Sequence, residues 1–378
     1  MRNVIELEIT PLANWSGVDD RPLVVAGPCS AETEAQVLQT AAELARYPVD
    51  YLRAGVWKAR TRPSSFDGAG DEALQWLKRA GTEHNLKTTT EVANARHVEL
   101  ALRHEIDAIW IGARTTANPF SVQELADALR GTDIPVMVKN PINPDLALWI
   151  GAIERVHKAG VRSLAAIHRG FATGDETRFR NRPMWDLVIE LRRMITNIPI
   201  LNDPSHVAGR RDLVYGVSQR AMDLGLDGLI IEAHADPENA WSDADQQITP
   251  HRLGEILARL KVRRTSSDNA QFNASLEELR HDIDRIDAEI LEVLSERMRI
   301  VEQIGESKRA NNVTTLQVDR WKAILEDRME RARALGLDHE YIKAIYDVIH
   351  EESNRLQSAI MSGQNGEAAA LRDAMRRE

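Results

Sequence analysis

Eight short β-rich runs alternate with helical stretches over roughly the first 262 residues, and this alternation decides the fold. The runs lie at 23–26, 50–54, 87–92, 108–112, 135–139, 163–168, 198–203 and 228–232. Between them apolar residues recur at helical spacing, as in Val37, Leu38, Ala41 and Leu44, or Leu74 and Leu77. Strand–helix alternation implies a parallel sheet. Eight such units in about 240 residues match a closed (β/α)8 TIM barrel. An open doubly wound sheet is the alternative, but no G-x-G-x-x-G follows the first run.

Beyond the barrel the β signal stops. The run KVRRTSSDNAQFNA, 261–274, is polar and aperiodic and reads as a linker, set at 263–274. From Ser275 the apolar positions are Leu276, Leu279, Ile283, Ile286, Ile290, Leu294, Val301 and Ile304. Their spacing predicts one amphipathic helix to about residue 310, roughly 50 Å long. A second helix is expected at 318–335, closed by Gly336, and a third at 338–361 with Asp338 as its cap. The expected organisation is thus a barrel at 1–262, an all-α three-helix domain at 275–361 and a tail at 362–378. Three helices cannot bury so long a stripe alone. A second copy is expected to cover it, giving a homodimer through the helical domain.

Composition narrows the function. A net charge of -10 argues against nucleic acid as a partner, since a phosphate backbone needs a basic face. No apolar run reaches the roughly 18–20 residues of a membrane span. The start, MRNVIELE, lacks the apolar core of a signal peptide. Cys29 is the single cysteine, so an intrachain disulfide is excluded and a reducing, cytoplasmic location is expected.

In a parallel barrel, chemistry sits on the loops that follow the strands. Those positions carry Cys29 after the first strand and Arg53, Lys58, Arg60 and Thr61 after the second. Glu91, Arg114, Lys139 and Arg169 follow in turn, then His206, and last Glu232 and Asp243. One such cation alone reads as a solvated loop charge. Six converging on one rim repel one another unless anions fill the mouth. Arg60 and Thr61, with Arg62 and Ser64, suggest a phosphate cradle. Arg53, Lys58, Arg114, Lys139 and Arg169 suggest a second anion site. The first and eighth strands adjoin in a closed barrel, so Cys29, His206, Glu232 and Asp243 can meet. Thiolate, imidazole and two carboxylates suit a divalent transition ion in an open catalytic site. The other reading makes Cys29 a packing residue and His206 part of a helix cap.

These segments resemble the short form of 3-deoxy-D-arabino-heptulosonate 7-phosphate (DAHP) synthase, which is related to the eight-carbon keto-sugar phosphate synthases. The carriers are GPCS at 27–30, KART at 58–61 leading to SFDG at 65–68, and IGART at 111–115. They continue with IHRG at 167–170, DPSH at 203–206 and Ser242-Asp243. The resemblance implies that Cys29, His206, Glu232 and Asp243 bind one divalent metal, manganese first, with iron(II), cobalt or zinc as alternatives. It implies that Arg53, Lys58, Glu91, Arg114, Lys139 and Arg169 hold phosphoenolpyruvate, and that Arg60 and Thr61 hold the phosphate of erythrose 4-phosphate. Lys58, Lys139 and His206 are then the catalytic candidates. Ala59 stands where the family usually has proline. Arabinose 5-phosphate is the alternative aldose.

On the long helix, Arg297 and Lys308 both fall inside the apolar stripe, about 20° apart. A buried cation needs a partner, so a buried anion is expected there, with a structural ion pair or snorkelling as the alternative. Leu279-Arg280, Ile283-Asp284, Arg297, Lys308, Arg320 and Ser353-x-x-x-Gln357 resemble the all-helical chorismate mutases. That resemblance implies that Arg280, Arg297, Lys308, Arg320, Ser353 and Gln357 bind chorismate or prephenate, with Arg280 supplied by the partner of a dimer. Arg297, Lys308 and Gln357 are the catalytic candidates, and prephenate is the product and an expected inhibitor of the barrel. Trp321 stands where an acidic residue is usual, with Gln317 as its potential substitute. A non-catalytic ligand sensor and dimeriser is the alternative for this domain.

Overall fold

The computed structural model describes residues 4–57, 66–174, 177–264 and 266–362. It divides into two units, 1–265 and 266–378.

In the first unit eight parallel strands close into a barrel in sequence order. They are β1 (Leu23–Gly27), β2 (Tyr51–Arg53), β3 (Lys87–Val92), β4 (Ala108–Ile111), β5 (Val136–Lys139), β6 (Leu164–His168), β7 (Ile200–Asn202) and β8 (Gly228–Glu232). Side chains alternate across each strand. In β1, Leu23 and Val25 point into the barrel with Tyr51, Trp110, Met137, Ile167 and Ile230. Val24 and Ala26 face outward into the layer beneath the helices, with Leu52, Ile109, Ile111, Val136 and Val138. Both faces are buried, which is why the strands read as near-continuous apolar runs. A helix not foreseen from the sequence, Leu12–Ser16, packs Leu12 and Trp15 against the inner layer.

The described residues of the second unit form three helices, Ala270–Ala310, Val318–Ala334 and His339–Met361. The first begins inside the expected linker. Asn269 caps it by accepting from the Phe272 N–H, and the polar turn that follows has no apolar period to reveal it. At 41 residues the helix is about 60 Å long, not 50 Å. The middle helix ends as expected, with Gly336 at φ +70°. Its N–H donates to Arg333 O, and Leu337 N–H donates to Ala332 O, the paired bonds of a glycine-closed helix end. Asp338 caps the last helix through the Tyr341 N–H. The last helix packs along the long one, where Val301 and Gly305 are buried. Leu279, Ile283, Ile286 and Ile290 are exposed on the long helix. No helix among the described residues is long and apolar enough to cross a membrane.

Candidate active sites

The pairing that closes the barrel sets Gly27 of β1 beside Glu232 of β8. Cys29, two residues past Gly27, is therefore carried to the Glu232 carboxylate. The loop after β8 returns Asp243 to the same place, with Asp243 at φ +46°. Cys29 Sγ and one carboxylate oxygen each of Glu232 and Asp243 lie within 4.8 Å of one another. Cys29 Sγ is 3.3 Å from Asp243 Oδ2. His206 stands beside this group. Its Nε2 is 3.8 Å from Glu232 Oε1, and its Nδ1 is 2.8 Å from Asp203 Oδ2. The thiol, two carboxylates and neighbouring imidazole fit a divalent transition ion by donor chemistry.

Around these donors lies a set of cations. Arg53, at the end of β2, is almost wholly buried. Its Nη2 is 3.1 Å from Glu232 Oε1 and donates to the Cys29 carbonyl at 3.4 Å. Its Nε and Nη1 are buried without a hydrogen-bond partner among the described residues. Lys139, at the end of β5, reaches Asp203 at 2.8 Å, and both are buried. Burial alone would raise the Asp203 carboxyl, but His206, Lys139 and Arg53 hold it well below the usual carboxylate range. Arg169, after β6, donates from Nη1 to Asn181 Oδ1. Burial pulls its guanidinium down to about 10; Asp203 and Glu91 oppose the shift, while Arg180 and Arg114 add to it. Arg114 is exposed in the short helix Ala113–Thr116 after β4. Glu91 accepts from Trp110 Nε1 at 3.1 Å. A Cβ on Gly112 would lie 2.0 Å from Glu91 Oε1, so only glycine leaves room for that carboxylate. Lys58, Arg60 and Thr61 lie outside the described residues.

Sequence reasoning missed three contributors. Arg180 donates from Nη1 to Asp243 Oδ1 at 2.9 Å and to Gln246 Oε1 at 2.7 Å. Gln246 in turn donates to Glu232 Oε2 at 2.6 Å. Gln247 accepts from the Cys29 N–H and donates to the Ser242 carbonyl. The available signal is loop length: Arg180 lies on the long loop after β6 and Gln246 and Gln247 on the long loop after β8, and long loops after barrel strands tend to carry function.

In the helical unit Arg297 donates to Ser353 Oγ at 2.7 Å, and Ser353 donates to the Ile349 carbonyl. One turn on, Gln357 is buried, and its Oε1 has no hydrogen-bond partner among the described residues. Gly305 faces it; a Cβ there would sit 3.4 Å from Gln357 Cγ and 3.0 Å from Ile360 Cδ1. Among the described residues both cations of the stripe meet neutral hydrogen-bond partners. Lys308 Nζ donates to the Thr315 carbonyl at 2.7 Å because the chain turns back past the helix end. Burial lowers the Arg297 guanidinium; Tyr346 opposes this and Arg328, another residue missed, adds to it. Trp321 stacks on His350 with ring centroids 3.7 Å apart. Arg280 is exposed and paired with Glu277, and Arg320 is exposed on the middle helix.

A closed parallel barrel with buried cations and a thiol–carboxylate group at the ends of its strands defines a TIM-barrel protein with a candidate active site. The chain belongs to the DAHP synthetase I family, whose model matches residues 6–266, and a second model, chorismate mutase type II, matches 279–358. It is a bifunctional enzyme of the shikimate pathway, with a DAHP synthase barrel followed by a chorismate mutase region. A phospho-2-dehydro-3-deoxyheptonate aldolase of Thermotoga maritima is 31% identical over 239 residues, covering 63% of this chain and 68% of that protein. A 2-dehydro-3-deoxyphosphooctonate aldolase of Vesicomyosocius okutanii is 26% identical, covering 65% and 91%. The crystal structure of the Thermotoga maritima DAHP synthase superposes with a TM-score of 0.58 at 30% identity, covering 64% of this chain and 68% of that one. A truncated form of the enzyme from that organism gives 0.56 at 28% identity, covering 64% and 85%.

Proposed function

We propose that the barrel, 1–262, condenses phosphoenolpyruvate with erythrose 4-phosphate, and that the helical domain, 275–361, rearranges chorismate to prephenate. The observation that carries the first half is Arg53. A guanidinium removed from water that meets Glu232 through Nη2 and leaves two N–H groups unmatched supports a further anion beside it. Lys139, Arg169 and Arg114 are the cations that share the phosphate and carboxylate with it, alongside Lys58. Arg60 and Thr61 take the aldose phosphate. Cys29, His206, Glu232 and Asp243 hold a divalent transition metal, manganese first. When bound, that ion supplies Lewis acidity toward the aldehyde oxygen. Carbon 3 of phosphoenolpyruvate bonds to the aldehyde carbon, water adds at carbon 2, and phosphate leaves. The cations neutralise and align the two substrates, which is where most of the rate comes from. Lys139, held by Asp203, is placed to pass a proton.

In the helical domain the desolvated Arg297 favours a bound anion, and the unmatched Gln357 Oε1 favours a hydroxyl donor on the same ligand. Arg280, Lys308, Arg320 and Ser353 complete its contacts, with Arg280 delivered across a homodimer. The exposed Leu279, Ile283, Ile286 and Ile290 form the surface that dimer covers. Prephenate inhibits the synthase, and both activities run in the cytoplasm.

The test is a synthase assay with erythrose 4-phosphate and with arabinose 5-phosphate, with and without chelator and prephenate. Turnover of the four-carbon sugar only, abolished by chelator and slowed by prephenate, is expected. Preference for arabinose 5-phosphate, or chelator-resistant turnover, overturns the barrel reading. Chorismate consumption by the wild type that survives Arg297→Ala overturns the mutase reading.

A further inference from the structure

Trp110 lies in the fourth strand with its side chain inside the barrel, fully buried, and on packing grounds it is one more core residue. Its apolar neighbours are joined by charged ones. The Arg53 guanidinium carbon sits 4.9 Å from the centroid of its ring. Lys139 Nζ sits 5.7 Å from the same centroid. Its Nε1–H donates to Glu91 Oε2 at 3.1 Å. Two buried cations and the half-buried Glu91 carboxylate thus touch one indole. Glu232 meets Arg53 through Nη2, while Nε and Nη1 have no hydrogen-bond partner among the described residues, so the π face adds to what the carboxylate supplies. A leucine of similar burial would leave two cations on an apolar wall.

We propose that Trp110 is a positioning residue of the phosphoenolpyruvate site: its ring holds Arg53 and Lys139 in place for the anion, and its N–H fixes Glu91 beside them. This rests on the reading of the barrel mouth given above. The ring attracts both cations weakly enough to be outcompeted by a phosphate or carboxylate, and it cannot form an ion pair that would block the site. A carboxylate in its place would neutralise the cations and occupy them. Arg53 already pairs with Glu232 and Lys139 with Asp203, and an indole steadies both cations without adding a third negative charge.

The experiment uses the full-length chain and phosphoenolpyruvate itself. Site-specific replacement of the indole at 110 by a ring-fluorinated one preserves shape and N–H but withdraws the negative face. We expect KM for phosphoenolpyruvate to rise roughly fivefold, with kcat and the aldose KM within about twofold of wild type. Trp110→Leu should raise that KM further, roughly tenfold or more. Trp110→Phe, which keeps a ring, should recover most of the loss. Unchanged KM in the fluorinated protein, or equal rises for both substrates, overturns the proposal, and the fluorinated protein suffices even if Trp110→Leu fails to fold. Arg169→Ala is measured alongside. If it leaves phosphoenolpyruvate binding intact, the reading of the mouth fails; if it abolishes binding while the fluorinated protein is normal, only the role of Trp110 fails.

Discussion

Lys139 and Asp203 form an ion pair at 2.8 Å with both side chains almost completely removed from solvent. Such a pair adds little net stability, because desolvating two charges costs about what their attraction returns. Breaking it is another matter. Asp203→Ala should strand the Lys139 ammonium, lose the partner of His206 Nδ1 and uncap the helix at His206. A destabilisation of about 3–5 kcal/mol is expected from urea unfolding. A loss below about 1 kcal/mol would mean that water replaces the carboxylate at little cost.

The metal group should be separable from the second activity. Cys29→Ser is expected to leave the dialysed protein with less than about a tenth of the wild-type metal content, and to abolish synthase turnover. Gln246→Leu releases Glu232 Oε2 and should weaken metal binding roughly 10–100-fold. Chorismate turnover should stay at the wild-type rate in both variants. Parallel loss of both activities would show that the thiol and the amide support the fold instead.

His168 is fully buried, with Nε2 at 2.6 Å from the Pro183 carbonyl and Nδ1 at 3.0 Å from Asn202 Nδ2. Burial pushes its imidazole down from 6.5 to about 4, against the Pro183 bond and Asp203, with Arg169 helping. Between those values the unfolded chain binds a proton that the folded chain refuses, so acid favours unfolding. The contribution is complete above pH 6.5 and falls by about 3 kcal/mol as pH drops to 4. Urea midpoints for wild type and His168→Gln should converge as pH falls through this window. Parallel curves would mean that His168 titrates normally.

Gln357 sets stability against turnover. Its buried Oε1 lacks a partner in the free chain, at a cost of about 1–3 kcal/mol. Gln357→Met is close in volume and removes that cost. The melting temperature of the helical unit should rise while chorismate turnover falls by at least about tenfold. A variant that is less stable, or equally active, contradicts the assignment of Gln357 to the ligand.

The two halves of the chain were legible to different depths. The strands could be read because a parallel barrel buries both faces, so β1 appears as unbroken apolar sequence. Even the threonine-rich β3 kept its bounds, since Thr88, Thr89 and Thr90 are all buried inside the barrel wall. Cys29, Glu232 and Asp243 could be matched because closure alone brings the first and eighth strands together. Arg180, Gln246 and Gln247 could not, because loop residues obey no periodicity and their partners are fixed only by the path of the chain. Trp110 was hidden differently, since a tryptophan in an apolar strand reads as packing. Lys308 was placed on the right face of its helix, but the nearby Thr315 carbonyl that satisfies it depends on a turn that spacing cannot foresee.

The closing pair of strands carries one more consequence. Cys29 and Asp243 are 214 residues apart in sequence, and they meet only when the last strand docks against the first. A nascent chain that has made seven strands presents an isolated thiol and no chelating group. Barrel closure and assembly of this donor group are therefore one event, and a chain that stops short of the last strand does not build the group. The thiol and the two carboxylates, once together, certify that the last strand has arrived.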